Sequence, residues 1–155
     1  MFGSINGHFA RQDSSFAHLM IEILRYLADY CPFLFRPGWF RFTDSLVGES
    51  FGGDAMVVLE SNVLRARFIR DRAQLLFEFQ PLAGKPSEWF SVGLLRGILV
   101  GDRGGSEVLD AVWAEFLSES LDELERRFEN SDVANATLTE LRQQKKQRAK
   151  ELSAT

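Results

Sequence analysis

The sequence predicts an α+β fold with an N-terminal helix, a four-stranded antiparallel β-meander and then two or three C-terminal helices. Apolar residues recur every three or four positions near both ends of the chain, whereas the period falls to two between Trp39 and Leu82. A chain of 155 residues can bury one core unaided, and its 14 phenylalanines indicate that this core is aromatic. We expect residues 1–130 to form a single α+β domain and residues 131–155 to form a polar, basic helical tail.

The first helix is predicted within FAHLMIEILRYLADYC, residues 16–31, where apolar residues recur at helical spacing. Asp-Ser-Ser at positions 13–15 offers side chains that can cap the helix, and Pro32 ends it. Three charged residues lie at helical intervals in this most apolar segment of the chain: Glu22, Arg25 and Asp29. Because such charges are costly inside a bilayer, no membrane span is expected.

Four runs of alternating residues then predict four strands. The residues expected on the core face are Phe40, Phe42, Val57, Leu59, Leu64, Ala66, Phe68, Leu75, Phe77 and Phe79. Glycines at 48, 52 and 53 mark the first connection between strands, and Ser61-Asn62 marks the second.

The third connection lies in FIRDRAQLLFEF, residues 68–79, where charged residues interrupt an apolar run. A two-residue loop at Asp71-Arg72, or a four-residue loop from Arg70 to Ala73, places Phe68 opposite Leu75. The same register places Arg65 opposite Glu78. Either loop is expected to project the side chains at positions 70–72 into solvent.

A helix capped by Ser87 and running through Ile98 is predicted after the sheet. Glycines repeat every four positions in it, at 93, 97 and 101. This spacing either permits a close approach to the helix backbone or is incidental, with Gly101 simply ending the helix.

A longer amphipathic helix is predicted from Glu107 to Phe128, with acidic side chains outside its apolar stripe. Beyond residue 130 the apolar residues are too sparse to predict a core: Val133, Leu138, Leu141 and Leu152. We expect the tail to be a marginal helix that packs across the domain, binds a partner or frays.

Charge is distributed unevenly along the chain. Five basic residues lie between Arg142 and Glu151, so the rest of the protein is more acidic than the net charge of −4 indicates. An acidic body repels nucleic acid and attracts a basic protein, and we therefore expect a protein partner and no nucleic acid.

No motif predicts catalysis. His8 and His18 lack the spacing of metal ligands, and Cys31 has the character of a small buried apolar residue. The chain contains no glycine pattern typical of a phosphate-binding loop. We expect no enzymatic activity, no cofactor and no metal. A single cysteine and an N-terminus without signal-peptide features predict a cytoplasmic protein.

The second face of the predicted sheet is polar and carries both charges. Its expected members are Arg41, Thr43, Glu60, Arg65, Arg67, Gln74 and Glu78. Such a face either stabilises the strands through charge pairs across them or binds a charged partner.

The leading helix, the segment VVLESNVLRARFIRDRAQLLFEF and the segment EWFSVGLLRGILVG together resemble small bacterial immunity proteins. These include the immunity proteins of contact-dependent growth inhibition and of other polymorphic toxin systems. The resemblance covers about Phe16 to Val100 and does not include the acidic helix or the basic tail. It implies a protein that binds a cognate toxin and occupies its active or substrate-binding surface.

Two surfaces are candidates for such binding. One is the acidic helix, through Glu115, Glu119, Asp122 and Glu123, and the other is the sheet, through Arg65, Arg67 and Glu78. The alternative function is an acidic secretion chaperone or adaptor, which would dimerise through Leu94, Ile98 or the long helix. The protein is accordingly expected to be a monomer or a homodimer.

Overall fold

The computed structural model describes residues 9–48 and 55–155, and side chains from Ala17 onward. One helix precedes a five-stranded antiparallel sheet, and three helices follow it, which confirms the predicted α+β class and adds one strand. The elements in chain order are α1 (Phe9–Tyr30), a 3-10 turn (Pro32–Phe35), β1 (Arg41–Val47), β2 (Ala55–Glu60), β3 (Leu64–Asp71), β4 (Gln74–Pro81), β5 (Phe90–Ser91), α2 (Val92–Val100), α3 (Ala111–Glu129) and α4 (Ser131–Ser153). The strands are arranged in chain order, so the sheet is a meander.

Helix α1 is longer at its N-terminus than predicted. Positions 13–15 lie inside it, so the prediction that they cap the helix is wrong. Ile23, Tyr26 and Leu27 are buried against β2 and β3, whereas Leu24 is 42% exposed. The buried stripe is therefore narrower than the apolar pattern indicated, and apolar side chains of α1 remain in contact with solvent.

The hairpin of β3 and β4 has a different register from the predicted one. Phe68 lies opposite Phe77, and Arg67, rather than Arg65, lies opposite Glu78. The turn consists of Arg72 and Ala73, which have left-handed φ angles of 48° and 66°. A two-residue loop with both residues left-handed matches the twist of the strands, which accounts for this choice of turn. Because the shift is two residues, every side chain stays on its predicted face.

The side chain of Arg70 does not project into solvent, and that prediction is wrong. It is 14% exposed and forms an ion pair with Glu22 of α1. Arg72 is 88% exposed, as expected for a residue at the tip of the hairpin. Of these two charged residues of the hairpin, Arg70 therefore holds α1 on the sheet, whereas Arg72 lies in the exposed turn.

Helix α2 begins at Val92 and not after Ser87, because Phe90 and Ser91 pair with β4 as the short strand β5. Gly101 adopts a left-handed conformation and ends the helix. The other two glycines lie against the ends of long side chains from outside α2. A Cβ atom at Gly93 would overlap the Glu107 carboxylate, and one at Gly97 would overlap the Gln144 amide.

The last two helices pack on each other, and α4 also packs on α2. Helix α3 begins later than predicted, at Ala111, where the Asp110 carboxylate accepts a hydrogen bond from the Trp113 N–H. Helix α4 buries Leu138 and Leu141 in the same cluster as the sheet residues, so the prediction that the tail leucines cannot contribute to a core is wrong for these two. Both side chains reach the core because they lie three positions apart on one face of the helix.

Aromatic side chains form the centre of the core, as predicted. The largest fully buried residues include Phe68, Phe77, Phe79 and Phe90. The rings of Phe68 and Phe77 meet edge to face with centroids 5.2 Å apart. Among the helices of residues 9–48 and 55–155, none has the length and apolar character required to cross a membrane.

Candidate protein interface

The charged residues that were predicted for the second face of the sheet are paired with one another. The Arg65 guanidinium donates to the Glu60 carboxylate at 3.3 Å and to the Gln80 side-chain oxygen at 3.1 Å. Arg67 forms an ion pair with Glu78 on the neighbouring strand. All three predicted contact residues of this surface, Arg65, Arg67 and Glu78, therefore have partners within the chain.

An aromatic ring also covers part of this face. The Arg67 guanidinium lies 4.1 Å from the centroid of the Trp89 ring, in the segment that leads into β5. A cation above an aromatic ring adds to the ion pair, and the side chain of Arg67 is only 25% exposed. This geometry favours the interpretation that Arg65, Arg67 and Glu78 stabilise the strands.

Two of the four predicted acids on α3 are also paired. Asp122 binds Arg36, which follows the 3-10 turn, and the hydrogen bond from this guanidinium lowers the pKa of the Asp122 carboxyl. Glu123 forms an ion pair with Arg126 at 2.9 Å and accepts a hydrogen bond from Arg127 at 3.4 Å, both within its own helix. Neither carboxylate is available to a partner without the loss of an existing contact.

Glu115 and Glu119 differ from the other candidates. Both are exposed, and neither forms an ion pair with any residue that the structure describes. They lie four positions apart and so project from the same face of α3. Two unpaired carboxylates this close repel each other, and a cation placed between them would relieve that repulsion.

A cleft of about 400 Å³ lies beside these two carboxylates. Its lining combines Trp113 and Phe116 of α3, the loop at 104–106 and Arg96 of α2, whose guanidinium forms an ion pair with Asp102 at 3.3 Å. The two aromatic rings meet edge to face at 5.6 Å. The Trp113 indole N–H donates to the Ser106 carbonyl at 2.9 Å, which fixes the ring against the loop. We call Glu115, Glu119, Trp113 and Phe116 together the acidic cleft.

The acids of the cleft were predicted from the sequence, but its aromatic wall was not. Trp113 and Phe116 belong to the apolar stripe of α3 and were expected in the core, where Trp113 is indeed buried. Phe116 is only partly buried. The loop after α2 produces the cleft, and its position depends on the left-handed Gly101 and Gly104 rather than on any helical pattern.

The residues proposed for the alternative dimer are not accessible. Leu94 and Ile98 are 2% and 8% exposed, because α2 lies between the sheet and α4. A homodimer through these side chains would require α2 to leave its position, so that part of the prediction is wrong.

The candidates for chemistry lie apart from the acidic cleft. Cys31 is fully buried, and burial raises the pKa of its thiol to about 12, so it carries no thiolate near neutral pH. The His18 ring is exposed and lies 3.4 Å from Glu22. His8 lies outside the described residues. No group of three potential metal ligands occurs among residues 9–48 and 55–155.

Comparison of the chain with protein-family models, with curated proteins and with solved structures finds no match in any of the three. The resemblance to immunity proteins therefore stays a prediction.

Proposed function

We propose that this protein is a non-enzymatic binding module, and that it is an immunity protein which neutralises a cognate toxin by covering the active or substrate-binding surface of that toxin. The observation that carries the proposal is the acidic cleft, where Glu115 and Glu119 form no ion pair with any described residue and lie beside Trp113 and Phe116. The resemblance of residues 16–100 supports the choice of an immunity protein, acting in the cytoplasm. The geometry supports the choice of surface.

The cleft has the chemistry to hold a basic side chain. A lysine or arginine of the partner would approach both carboxylates at once, and its aliphatic part would lie along Phe116. Arginine is among the residues most often found at the energetic centre of interfaces, and aromatic rings favour it further. The net charge of −4 would also attract a basic toxin over distance at low salt.

The proposal predicts that charge reversal in the acidic cleft removes partner binding. A variant with Glu115→Lys and Glu119→Lys places two cations against the basic group of the partner, and we expect affinity to fall about 30-fold or more. The partner is first captured from the source cell with the wild-type protein and identified by mass spectrometry. The purified pair is then compared by titration calorimetry.

The matched control reverses two exposed acids elsewhere, Glu129→Lys and Glu140→Lys, and so changes net charge by the same amount. We expect this control to keep affinity within about threefold, since only long-range steering changes. Equal losses in both variants would show that total charge, and not the cleft, governs binding.

A second pair of variants distinguishes the acidic cleft from the sheet. If Arg65→Glu with Arg67→Glu abolishes binding while the cleft variant retains it, the sheet is the interface and the assignment to the cleft is wrong. The immunity function is tested separately by co-expressing the captured partner, which should arrest growth alone and not with the wild-type protein. A partner without toxicity would contradict the immunity function even if it binds in the cleft.

A further inference from the structure

Strand β1 is an edge of the sheet. It pairs with β2 on one side, and within the described part of the chain no strand pairs with its other side. All seven of its residues are exposed. An edge strand presents backbone N–H and C=O groups that can pair with an added strand.

An apolar groove lies beside β1, on the face of the sheet that α1 covers. Its volume is about 560 Å³. Met20, Leu24, Phe42 and Val57 form its apolar lining, and the β1 residues at positions 43–45 complete it. Phe42 is 53% exposed and stacks on Phe35, with ring centroids 5.3 Å apart. The groove exists because α1 packs mainly over β2 and β3, so the apolar residues of the edge remain accessible.

Strand β1 carries an unpaired acid at its centre. Asp44 is paired in register with Val58, and it borders both the groove and a cavity of about 380 Å³ on the second face of the sheet, which Val58, Glu60 and Arg65 also line. One of its carboxylate oxygens accepts the Ser45 N–H at 2.8 Å, but the side chain forms no ion pair with any described residue. Arg41, at the beginning of the strand, is instead engaged with Glu60 at 3.8 Å.

This charge argues against a second copy as the occupant of the edge. Antiparallel pairing of two β1 strands over all seven residues makes residue 44 the centre, and so places Asp44 opposite its own counterpart. Like charges directly opposite each other destabilise a strand pair. A segment with a lysine or arginine at that position would form a favourable pair.

We propose that the outer edge of β1 binds an extended segment of a partner protein as an additional strand, with apolar side chains in the groove and a basic side chain opposite Asp44. The backbone of β1 supplies affinity, while the groove and Asp44 select the sequence. This inference concerns a surface separate from the acidic cleft and holds whether or not the cleft binds a partner.

The test uses a nine-residue peptide with blocked ends, in which valine alternates with threonine and a lysine occupies the centre. Valine then faces the groove while lysine lies on the side of Asp44. In an NMR titration of the whole protein, the peptide should shift the amide signals of residues 41–47. A peptide with glutamate at the centre should bind about fivefold more weakly, since one cross-strand charge pair is worth up to about 1 kcal/mol.

The Asp44→Lys variant should reverse this preference and bind the glutamate peptide better. Ser45→Pro should weaken both peptides by distorting the edge strand that they pair with. Circular dichroism checks that both variants keep the secondary-structure content of the wild-type protein. The inference is overturned if neither peptide shifts the signals of β1, or if the charge preference does not follow residue 44. A concentration-dependent homodimer that Ser45→Pro dissociates would show that a second copy occupies the edge instead.

Discussion

Ala73 is one of only two residues other than glycine with a positive φ among the described residues, and the other is its neighbour Arg72. Left-handed backbone costs an L-residue with a Cβ atom roughly 1–2 kcal/mol relative to its preferred conformation. The hairpin accepts this cost because the two-residue turn brings Phe68 opposite Phe77 and allows the strands to pair over their full length. The strain is thus local, and a single substitution can remove part of it.

Ala73→Gly is expected to stabilise the protein. Glycine adopts the left-handed region without strain, and its greater freedom in the unfolded chain offsets part of the gain, so the free energy of unfolding should rise by about 0.5–1 kcal/mol. Urea unfolding measures this free energy for the variant and the wild-type protein. The control is Ala136→Gly in the exposed face of α4, which should lower stability by about 1 kcal/mol. A loss of similar size in both variants would contradict the turn conformation.

At the scale of elements, α4 is held in two different ways along its length. Ala134, Thr137, Leu138 and Leu141 are buried in its first half, where it packs on α2 and α3. None of its residues after Leu141 is buried. The second half is instead held by polar contacts, such as the Lys145 ammonium group donating to the Trp89 carbonyl at 2.7 Å. Apolar burial positions the helix, and polar contacts then align its end.

Because only the first half of α4 is buried, the same substitution should have a large effect at one leucine of this helix and a small effect at another. Leu141 is fully buried, and Leu141→Ala should lower the free energy of unfolding by about 2–5 kcal/mol through lost burial and a cavity. Leu152 is 70% exposed, and Leu152→Ala should change the free energy of unfolding by less than about 0.5 kcal/mol. Chemical denaturation followed by tryptophan fluorescence measures both. Near-equal values would mean that α4 is not docked as described.

At the scale of the whole molecule, the basic C-terminal stretch finds its partners within the chain. Arg142 binds Glu88 at 2.8 Å, Arg148 pairs with Glu107, and Glu151 accepts from Arg103 at 2.5 Å. The charge asymmetry that the sequence displays is therefore partly cancelled when α4 folds against the acidic body. This internal pairing is consistent with the choice of α3, rather than the tail, as the proposed interface.

The pair of Glu88 and Arg142 predicts a specific dependence of stability on pH. The hydrogen bond from Arg142 lowers the pKa of Glu88 below its usual 4.5. The folded state thus favours the ionised form, so the contribution of the pair is present above pH 4.5 and is lost as pH falls through the lowered pKa. Glu88→Gln should therefore be less stable than wild type at pH 7, with a smaller difference at pH 3.

Urea unfolding at the two pH values checks this prediction. Glu140→Gln, on the exposed side of the same helix that carries Arg142, is the control and should match wild type at both. A difference between Glu88→Gln and wild type that is equal at both pH values would mean that the Glu88 charge contributes nothing to stability.

Much of the local structure followed from the sequence alone. The alternation of Leu64, Ala66 and Phe68 correctly assigned the two faces of the sheet, and Ser61-Asn62 correctly marked a turn. Helical spacing identified α1, α2 and α3, with errors only at their ends. These features are determined by residues within a few positions of each other, where periodicity and turn chemistry act directly.

Only the tertiary structure decided which residues of each surface are free to bind. Arg36 and Asp122 are 86 positions apart, yet their pairing separates Asp122 from the otherwise similar Glu115 and Glu119. The pairing of Arg142 with Glu88 and the burial of Leu141 likewise result from the packing of α4. No local sequence pattern predicts either of them. The order of residues alone establishes which side chains are acidic and which face of each element is apolar. Which charges remain unpaired depends on distances between remote segments, and those distances exist only once the core has brought the segments together.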